Sequence, residues 1–246
     1  MLFTKGGGNH TIDFNQFAVE PFQIYFMIPG QVHAWNFEGE TDGYVVNFSD
    51  TFFHSFLLKP DYLDSFSFWN GITEESVINL SGKTSEKVVH IFEELITQSK
   101  SADILRDDMI RLILLQIFIT IEQTALKNRV DKTRLVQNAI VRNFQKLVEK
   151  NFVSIRLPSE YADLLSITPN HLNALSKEYL GKQAGEVIRD RIILEAKRLL
   201  VSLDITVSEI AYKLNFNDNS YFTKFFRKYE TITPDAFRKR SVSDKN

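Results

Sequence analysis

Two short rows of polar and cationic side chains recur in the last third of the chain, about fifty residues apart. The later row contains Asn219, Ser220, Thr223, Lys224 and Arg227. Amide and hydroxyl groups can bond to base edges and cations can bond to phosphates, so such a row suits the major groove of duplex DNA. A helix face that only contacts solvent would have the same spacing, and the row alone leaves both interpretations open.

The earlier row contains Asn170, Asn173, Ala174 and Lys177, at the angular positions of Ser220, Thr223, Lys224 and Arg227. Aligning the chain with itself pairs Glu160 with Glu209 at an offset of 49 residues, and Leu172 with Phe222 at an offset of 50. The one-residue slip falls between these pairs, where a turn is expected. The repeat therefore predicts two copies of one structural unit.

Each copy has the pattern of a helix, a tight turn and a second helix. In the later copy, Thr206 and Glu209 have the spacing of a capping box, which satisfies free amides at a helix start. Asn215 falls at the turn, because Asn tolerates the left-handed backbone conformation. Asp218 caps the second helix, whose apolar stripe is predicted to be buried. That stripe consists of Phe222, Phe225, Phe226 and Tyr229.

The earlier copy begins its second helix at Thr168 and Pro169, a cap followed by a residue whose missing amide costs nothing there. Between the copies, the apolar pattern from Gly185 to Leu203 predicts one long helix. A rigid spacer of this kind can present two recognition helices to successive major grooves, about 34 Å apart on one duplex face.

At these residues the chain resembles the AraC/XylS family of bacterial transcription regulators, over roughly residues 144–240. The signature positions are Arg191, Ala196, Leu199, Leu200, Ile210, Ala211, Phe216, Ser220, Tyr221, Phe222, Phe226, Thr233, Pro234, Phe237 and Arg238. The family usually has Gly where this chain has Asn215 and Thr231. Thr231 predicts a modest rearrangement after the last recognition helix.

The resemblance implies a sequence-specific, ligand-responsive transcription activator that binds double-stranded DNA and contacts RNA polymerase. It also implies that bases are read through Asn170 and Asn173 in the first unit. In the second unit they would be read through Asn219, Ser220, Thr223 and Lys224, with the cations Lys177 and Arg227 completing the two rows. Nothing in the residues themselves distinguishes activation from repression.

Charge is divided unevenly along the chain. Residues 1–130 contain 9 Lys and Arg against 17 Asp and Glu, a net charge of −8, whereas residues 131–246 contain 20 against 14, a net charge of +6. A basic half joined to an acidic half fits a polyanion-binding part fused to a part with another role. The chain has no Cys, which excludes thiolate catalysis and cysteine-ligated metals and is consistent with a cytoplasmic location. No signal peptide or membrane span is expected.

In residues 1–49, apolar and polar side chains alternate with a period of two, and turns at Gly and Pro interrupt the pattern. This predicts a small antiparallel sandwich or barrel. Residues 29–33, PGQVH, resemble the second signature of the cupin barrel, a common sensing domain in AraC-type proteins. The family normally has further strands before the equivalent of Leu2, so the resemblance predicts a domain shortened at its start. Candidate effector-binding residues are Tyr25, His33, Trp35, Tyr44 and Asn47; these side chains would otherwise simply fill the barrel. His33 has no second His at ligand spacing, so no metal or other cofactor is predicted.

Two helices are predicted after the barrel, from Ser85 and from about Ile104 to Leu126. The second is apolar almost all round, from Leu112 to Ile121, and must be covered on every side. The cover comes either from the same helix of a second subunit, giving a homodimer, or from packing within one chain.

The predicted class is therefore α+β: a cupin-like antiparallel β-barrel and two helices, followed by an all-α DNA-binding domain. The predicted boundaries are residues 1–80 for the barrel, 81–126 for a dimerising helical segment, 127–132 for a linker and 133–246 for the DNA-binding domain. The leading hypothesis is a DNA-binding transcription regulator without enzymatic activity. The alternatives are a cupin-type metalloenzyme with an appended helical domain, and an interaction module with no DNA role.

Overall fold

The computed structural model describes residues 1–53, 56–59, 62–69, 73–127, 132–202 and 204–243. The chain forms two compact units, Met1–Val130 and Asp131–Asn246. Each unit has its own hydrophobic core. Residues 128–131, which make up most of the predicted linker, lie outside the described residues.

The first unit contains two antiparallel sheets. Their strands are β1 (Leu2–Lys5), β2 (Gly8–Ile12), β3 (Asn15–Ala18), β4 (Gln23–Tyr25), β5 (His33–Phe37), β6 (Asp42–Tyr44) and β7 (Val77–Asn79). One sheet has the order β6-β1-β4-β7 and the other the order β3-β2-β5. The register pairs Leu2 with both Ile24 and Tyr44 in the first sheet, and His10 with Trp35 in the second.

The prediction of a closed barrel is wrong for the described residues, in which the two sheets share no strand pairing. The chain instead crosses from one sheet to the other between β1 and β2. Gly7 and Gly8 form this crossing, since a Cβ at Gly7 would lie 2.1 Å from the carbonyl oxygen of Glu38 and Gly8 has φ +82°. Glycine permits both the close approach and the left-handed backbone. The alternation along the strands is thus that of two separate antiparallel sheets.

Between β6 and β7 the described chain forms short 3-10 turns, at residues 50–53, 63–65, 67–69 and 73–75. Helices α1 (Lys83–Ser99) and α2 (Arg106–Lys127) follow β7. Both helices pack on the four-stranded sheet in one core with the aromatic residues of the turns. This core includes Leu2, Ile24, Phe26, Phe53, Phe68, Val88, Phe92, Ile117 and Phe118.

The apolar composition of α2 predicted that the helix is covered on every side, but within this chain only one side of it is buried. One side is buried, through Ile113, Leu114, Ile117, Phe118 and Ile121. The other side leaves Leu105, immediately before the helix, 59% exposed and Met109, Leu112 and Ile119 40%, 50% and 39% exposed. These four residues, here called the α2 stripe, recur at intervals of four, three and seven residues, as in a heptad seam.

The second unit is entirely helical in its described part. Its helices are α3 (Lys132–Asn151), α4 (Pro158–Leu164), α5 (Pro169–Leu180), α6 (Ala184–Ser202), α7 (Val207–Lys213), α8 (Asn219–Glu230) and α9 (Pro234–Ser243). They enclose one core around the spacer helix α6, which includes Phe144, Tyr161, Leu172, Ile192, Ile210, Phe222 and Phe226. The repeat in the sequence therefore corresponds to two helix pairs, α4–α5 and α7–α8.

The predicted caps of these helices are confirmed. The amide of Glu209 donates to Thr206 Oγ1 at 3.2 Å, and the Glu209 carboxylate accepts from the Thr206 amide at 2.7 Å, forming the capping box of α7. Thr168 accepts from the amide of His171 at the start of α5. Asp218 accepts from the amide of Ser220 at 2.6 Å at the start of α8. Local sequence signals thus define where three of these helices begin.

Left-handed residues occupy equivalent places in the two repeats. Ser166 (φ 55°) and Asn215 (φ 58°) form the turns inside the two helix pairs. Gly181 (φ 69°) ends α5 and Thr231 (φ 65°) ends α8. The rearrangement predicted after α8 is therefore not seen, because α8 ends in the same left-handed conformation as α5. Thr231 adopts this conformation at the cost of backbone strain.

We expect Thr231→Gly to raise the free energy of unfolding of the second unit by about 1 kcal/mol, because a β-branched residue is disfavoured in the left-handed region. Gly181→Thr is the matched reverse change and should lower it by a similar amount. A Cβ at Gly181 would have no heavy atom within 4 Å, so only the backbone preference is altered there. Urea denaturation followed by helical circular dichroism measures both. A loss of stability in Thr231→Gly would show that the bond from the Thr231 hydroxyl to the Glu230 carbonyl, at 2.6 Å, outweighs the strain.

Candidate nucleic-acid interface

Helix α8 presents a polar face because its opposite face is anchored in the core. Phe222 and Phe226 are fully buried. Ser220, Lys224 and Arg227 are exposed, and Thr223 is partly exposed. The side chains of Ser220, Lys224 and Arg227 are therefore accessible to a duplex, and that of Thr223 is accessible in part.

Two details of α8 differ from the sequence expectation. Tyr229, expected in the buried stripe, is 38% exposed, and its ring lies 5.6 Å from the guanidinium of Arg189 and 5.5 Å from the ammonium of Lys228. Asn219, expected on the outer face, is partly buried, and its Oδ1 atom is enclosed with no hydrogen-bond partner among the described residues. The outer face of α8 therefore consists chiefly of Ser220, Thr223, Lys224 and Arg227.

Helix α5 presents a shorter row. Asn170, Ala174 and Lys177 are exposed, whereas Asn173 is partly buried. The Asn173 Oδ1 atom accepts from the amide of Ala184 at 3.1 Å and so caps the start of α6. The first amides of a helix need such acceptors, and α6 obtains one from the preceding helix. The side chain of Asn173 thus joins α5 to the spacer helix.

Arg156 is a residue of this domain that sequence reasoning missed. It lies between α3 and α4, and its guanidinium donates to the carbonyl oxygens of Leu214 and Asn215, the latter at 3.3 Å. It also covers the ring of Phe216 at 4.1 Å. Arg156 therefore links the first helix pair to the left-handed turn that aims α8. No local pattern indicates this contact, because it joins residues 58 and 59 positions apart in sequence.

A second link holds the spacer helix. Arg191 of α6 donates to both carboxylate oxygens of Glu149 of α3, at 2.5 and 2.7 Å, and to Glu195 at 2.9 Å. Burial disfavours the charged guanidinium, but the hydrogen bonds and charges of Glu149 and Glu195 together outweigh that effect and raise the pKa of Arg191. Its guanidinium also stacks 4.0 Å from the ring of Phe152. A bidentate pair of this kind fixes geometry as well as charge, so α6 is held firmly against α3.

The first unit contains a cavity of about 500 Å³, and the five candidate effector residues do not all reach it. Tyr25, His33 and Asn47 line the cavity. Trp35 is 39% exposed on the edge strand β5, and Tyr44 stacks on Phe92 at 5.3 Å between ring centroids. Trp35 therefore does not line the cavity, and its ring instead stacks on the ring of His10.

Beside this cavity, His10 is fully buried. Its ring lies 4.9 Å from Tyr25 and 5.0 Å from Trp35, measured between ring centroids, and neither ring nitrogen has a hydrogen-bond partner in the described part of the chain. Burial, with smaller contributions from the charges of His33 and the amino terminus, lowers the pKa of His10 to about 4. The imidazole is therefore neutral at physiological pH.

Over the ranges that the structure describes, no three His, Cys, Asp or Glu side chains are grouped as metal ligands. Within the same ranges, no helix is both long enough and apolar enough to cross a membrane.

Comparison with known proteins matches residues 161–240 to a family model described as a helix-turn-helix domain. The transcriptional regulatory protein YesN of Bacillus subtilis is 31% identical over 107 residues, which are 42% of this chain and 29% of YesN. The transcriptional activator AarP of Providencia stuartii is 29% identical over 102 residues, which are 42% of this chain and 76% of AarP. The match thus spans less than a third of YesN.

Among solved structures, the C-terminal domain of the response regulator YesN from Fusobacterium nucleatum is 27% identical, with a TM-score of 0.37. That match covers 39% of this chain and 93% of the solved domain. The sequence matches agree with the residues that carry the family resemblance. The second unit of this chain therefore contains a helix-turn-helix domain of the AraC type, at residues 161–240.

Proposed function

We propose that this chain is a sequence-specific DNA-binding transcription regulator. The observation that carries the proposal is the pair of exposed polar rows on α5 and α8, each on the second helix of a helix-turn-helix pair. The links through Arg156, Asn173 and Arg191 hold both pairs around α6, which supports their acting together. The net charge of +6 over residues 131–246 favours approach to a polyanion.

The experiment is selection of duplexes from a random-sequence pool by the full chain, followed by binding measurements at several salt concentrations. Two recognition helices in successive major grooves should select two short motifs about one helical turn, or 10 base pairs, apart. The affinity for the selected site should exceed that for random duplex by about 10³-fold or more. Weak binding with no sequence preference would favour the interaction-module alternative and contradict the proposal.

The proposed direction of regulation is activation, through contact with RNA polymerase at a nearby promoter. It is supported by the family resemblance of the domain and by AarP, which is an activator by name. A reporter gene placed downstream of the selected site tests the direction. Expression that falls when the protein is supplied would mean repression.

We also propose that the chain acts as a homodimer formed through the α2 stripe, and that the first unit binds a small-molecule effector. Leu112 is 50% exposed and Ile119 is 39% exposed, on a helix whose opposite face is buried. A two-fold contact through this stripe would remove the apolar surface from water. Effector binding would then act by favouring one arrangement of the dimer.

We expect Leu112→Glu to weaken self-association about 100-fold, because it places a charge in each half of an apolar two-fold contact. Analytical ultracentrifugation over a range of concentrations measures the change. Leu58→Glu is the matched control, since Leu58 is fully exposed in the same unit and lies outside the stripe. Equal association of the wild type and Leu112→Glu would remove the α2 stripe from the interface.

A further inference from the structure

Strand β5 lies at the edge of the three-stranded sheet, and its outer side pairs with no other described strand. All of its residues are exposed, Trp35 by 39% and Phe37 by 47%. The other described edges, formed by β3, β6 and β7, are shorter. Sheet edges are usually protected from further pairing by a charged residue, a Pro or a bulge. Strand β5 contains no Asp, Glu, Lys, Arg or Pro, and its pairing with β2 has no shift of register. It is therefore an unprotected edge that can add another strand.

The backbone groups on the open side of β5 follow from the hydrogen bonds at its two ends. The amide of Asp13 donates to the carbonyl of Val32 at 2.8 Å, and the amide of Glu38 donates to the carbonyl of Gly7 at 3.2 Å. The even-numbered residues of this segment thus face β2. Successive residues of a strand direct their backbone groups to opposite sides, so the odd-numbered residues present N–H and C=O groups to the open side. These residues are His33, Trp35 and Phe37.

This arrangement is complementary to itself in an antiparallel pair of two β5 strands. With the two-fold axis at Trp35, the Trp35 residues of the two copies lie opposite each other, and His33 of each copy lies opposite Phe37 of the other. Every such pair exchanges both of its backbone hydrogen bonds, because each member directs its N–H and C=O groups outward. A shift of two residues loses one of these pairs. A shift of one residue sets outward groups against residues whose backbone already bonds to β2.

The side chains favour the same pairing. His33, Trp35 and Phe37 share one face of β5, with ring centroids 4.6 Å and 6.5 Å apart along the row. The row rests on the interior of the unit, since Trp35 stacks on the buried His10 at 5.0 Å and Phe37 meets Phe3 at 5.9 Å. A second copy would place an identical row beside it, and cross-strand aromatic pairs stabilise a sheet. No like charges would lie opposite each other within the paired strands, because β5 contains no Asp, Glu, Lys or Arg.

We propose that β5 pairs in this register with β5 of a second copy, joining their three-stranded sheets into one continuous sheet. The contact uses a surface other than the α2 stripe and does not depend on it. An extended segment of a different protein could bond to the same backbone groups. It would not bring two copies of β5 together about Trp35, so the position of cross-links between copies separates the two partners.

Cysteine cross-linking tests the register directly, because the chain has no Cys of its own. Ala34 and Asn36 are exposed, and their side chains point away from the aromatic row. The proposed register sets Ala34 of one copy opposite Asn36 of the other, with Cα atoms about 4.5 Å apart, which suits a disulfide. Two Cys at the same position would be about 7–8 Å apart. A mixture of Ala34→Cys and Asn36→Cys chains should therefore form linked dimers at least about 5-fold faster than either chain alone.

Sedimentation measures the strength of the contact in the full chain carrying Leu112→Glu, which removes association through the α2 stripe. This chain should still form dimers. Adding His33→Pro removes an outward N–H group and keeps the bonds to β2, so it should weaken the remaining association at least about 10-fold. Adding His33→Ala removes the same imidazole but keeps the N–H group, and should change the association less than about 3-fold.

Three results would each overturn the proposal: cross-linking no faster in the mixture than in the single variants, a Leu112→Glu chain that stays monomeric, or equal weakening by His33→Pro and His33→Ala. The cross-linking rates do not require the proline variant to fold. Binding to the selected duplex is measured separately. A protein that binds its duplex but forms no cross-link between copies refutes the β5 contact and leaves the DNA-binding function standing.

Discussion

Lys224→Ala is expected to weaken binding to the selected duplex by about 1–3 kcal/mol, roughly 5- to 150-fold, when the Lys224 ammonium group bonds to a base edge. Lys224 lies exposed in the middle of the α8 row, one turn from Ser220 and next to Thr223. The core residues Phe222 and Phe226 fix the helix, so truncation of Lys224 removes a contact without disturbing the fold.

Salt dependence distinguishes the two contacts that Lys224 can make. If its ammonium group meets only a phosphate, Lys224→Ala should weaken binding to all duplexes alike and reduce the salt slope by about one. If it meets a base, the loss should be confined to the selected sequence. Lys100→Ala removes the same charge from an exposed position in the first unit and serves as the control. A variant unchanged in both affinity and slope would remove Lys224 from the interface.

Acidification is expected to destabilise the first unit through His10, by up to about 3 kcal/mol. The pKa of His10 is about 4 in the folded protein against 6.5 in an unfolded chain. Because the folded pKa is the lower one, the unfolded state takes up the proton first as the pH falls. The stabilisation is therefore complete above pH 6.5, declines between about 6.5 and 4, and is lost below the folded pKa.

Tryptophan fluorescence makes this measurement specific, because Trp35 and Trp69 both lie in the first unit and the second unit has no Trp. Urea denaturation at pH values between 7.5 and 4 should show the decline in the wild type. His10→Phe should flatten it over this range, because Phe fills a similar space between Tyr25 and Trp35 and does not titrate. His90→Gln alters an exposed imidazole on α1 and should leave the decline intact. An unchanged decline in His10→Phe would mean that other groups cause it.

Local signals in the sequence accounted for most of the DNA-binding unit. The capping residues Thr168, Thr206 and Asp218 each act on amides two or three positions away, and the turn at Asn215 depends on that residue's own backbone preference. Interactions over so short a distance can be predicted from the spacing of residues along the chain. The repeat strengthened the prediction of two helix-turn-helix units, since the same pattern appears twice with offsets of 49 and 50 residues.

Contacts between distant segments were decided only by the tertiary structure. The amide oxygen of Asn173, which was predicted to read a base, instead caps α6. Arg156, which no sequence pattern indicated, bonds to the turn before α8 and so positions the interface. In the first unit, period-two alternation predicted strands correctly but not their closure, because alternation specifies which side of a strand faces a core and not which strand lies beside it.

The sequence by itself thus determined the helix-turn-helix repeat, its caps and most residues of its outer rows. The tertiary structure alone decided that the strands form two sheets, that α2 keeps one apolar side exposed and that Asn173 and Asn219 are partly buried. The physical reason is the range of the interactions. Caps, turns and helical faces depend on neighbours within one or two turns, whereas sheet order, burial and unsatisfied donors depend on which remote segments pack together.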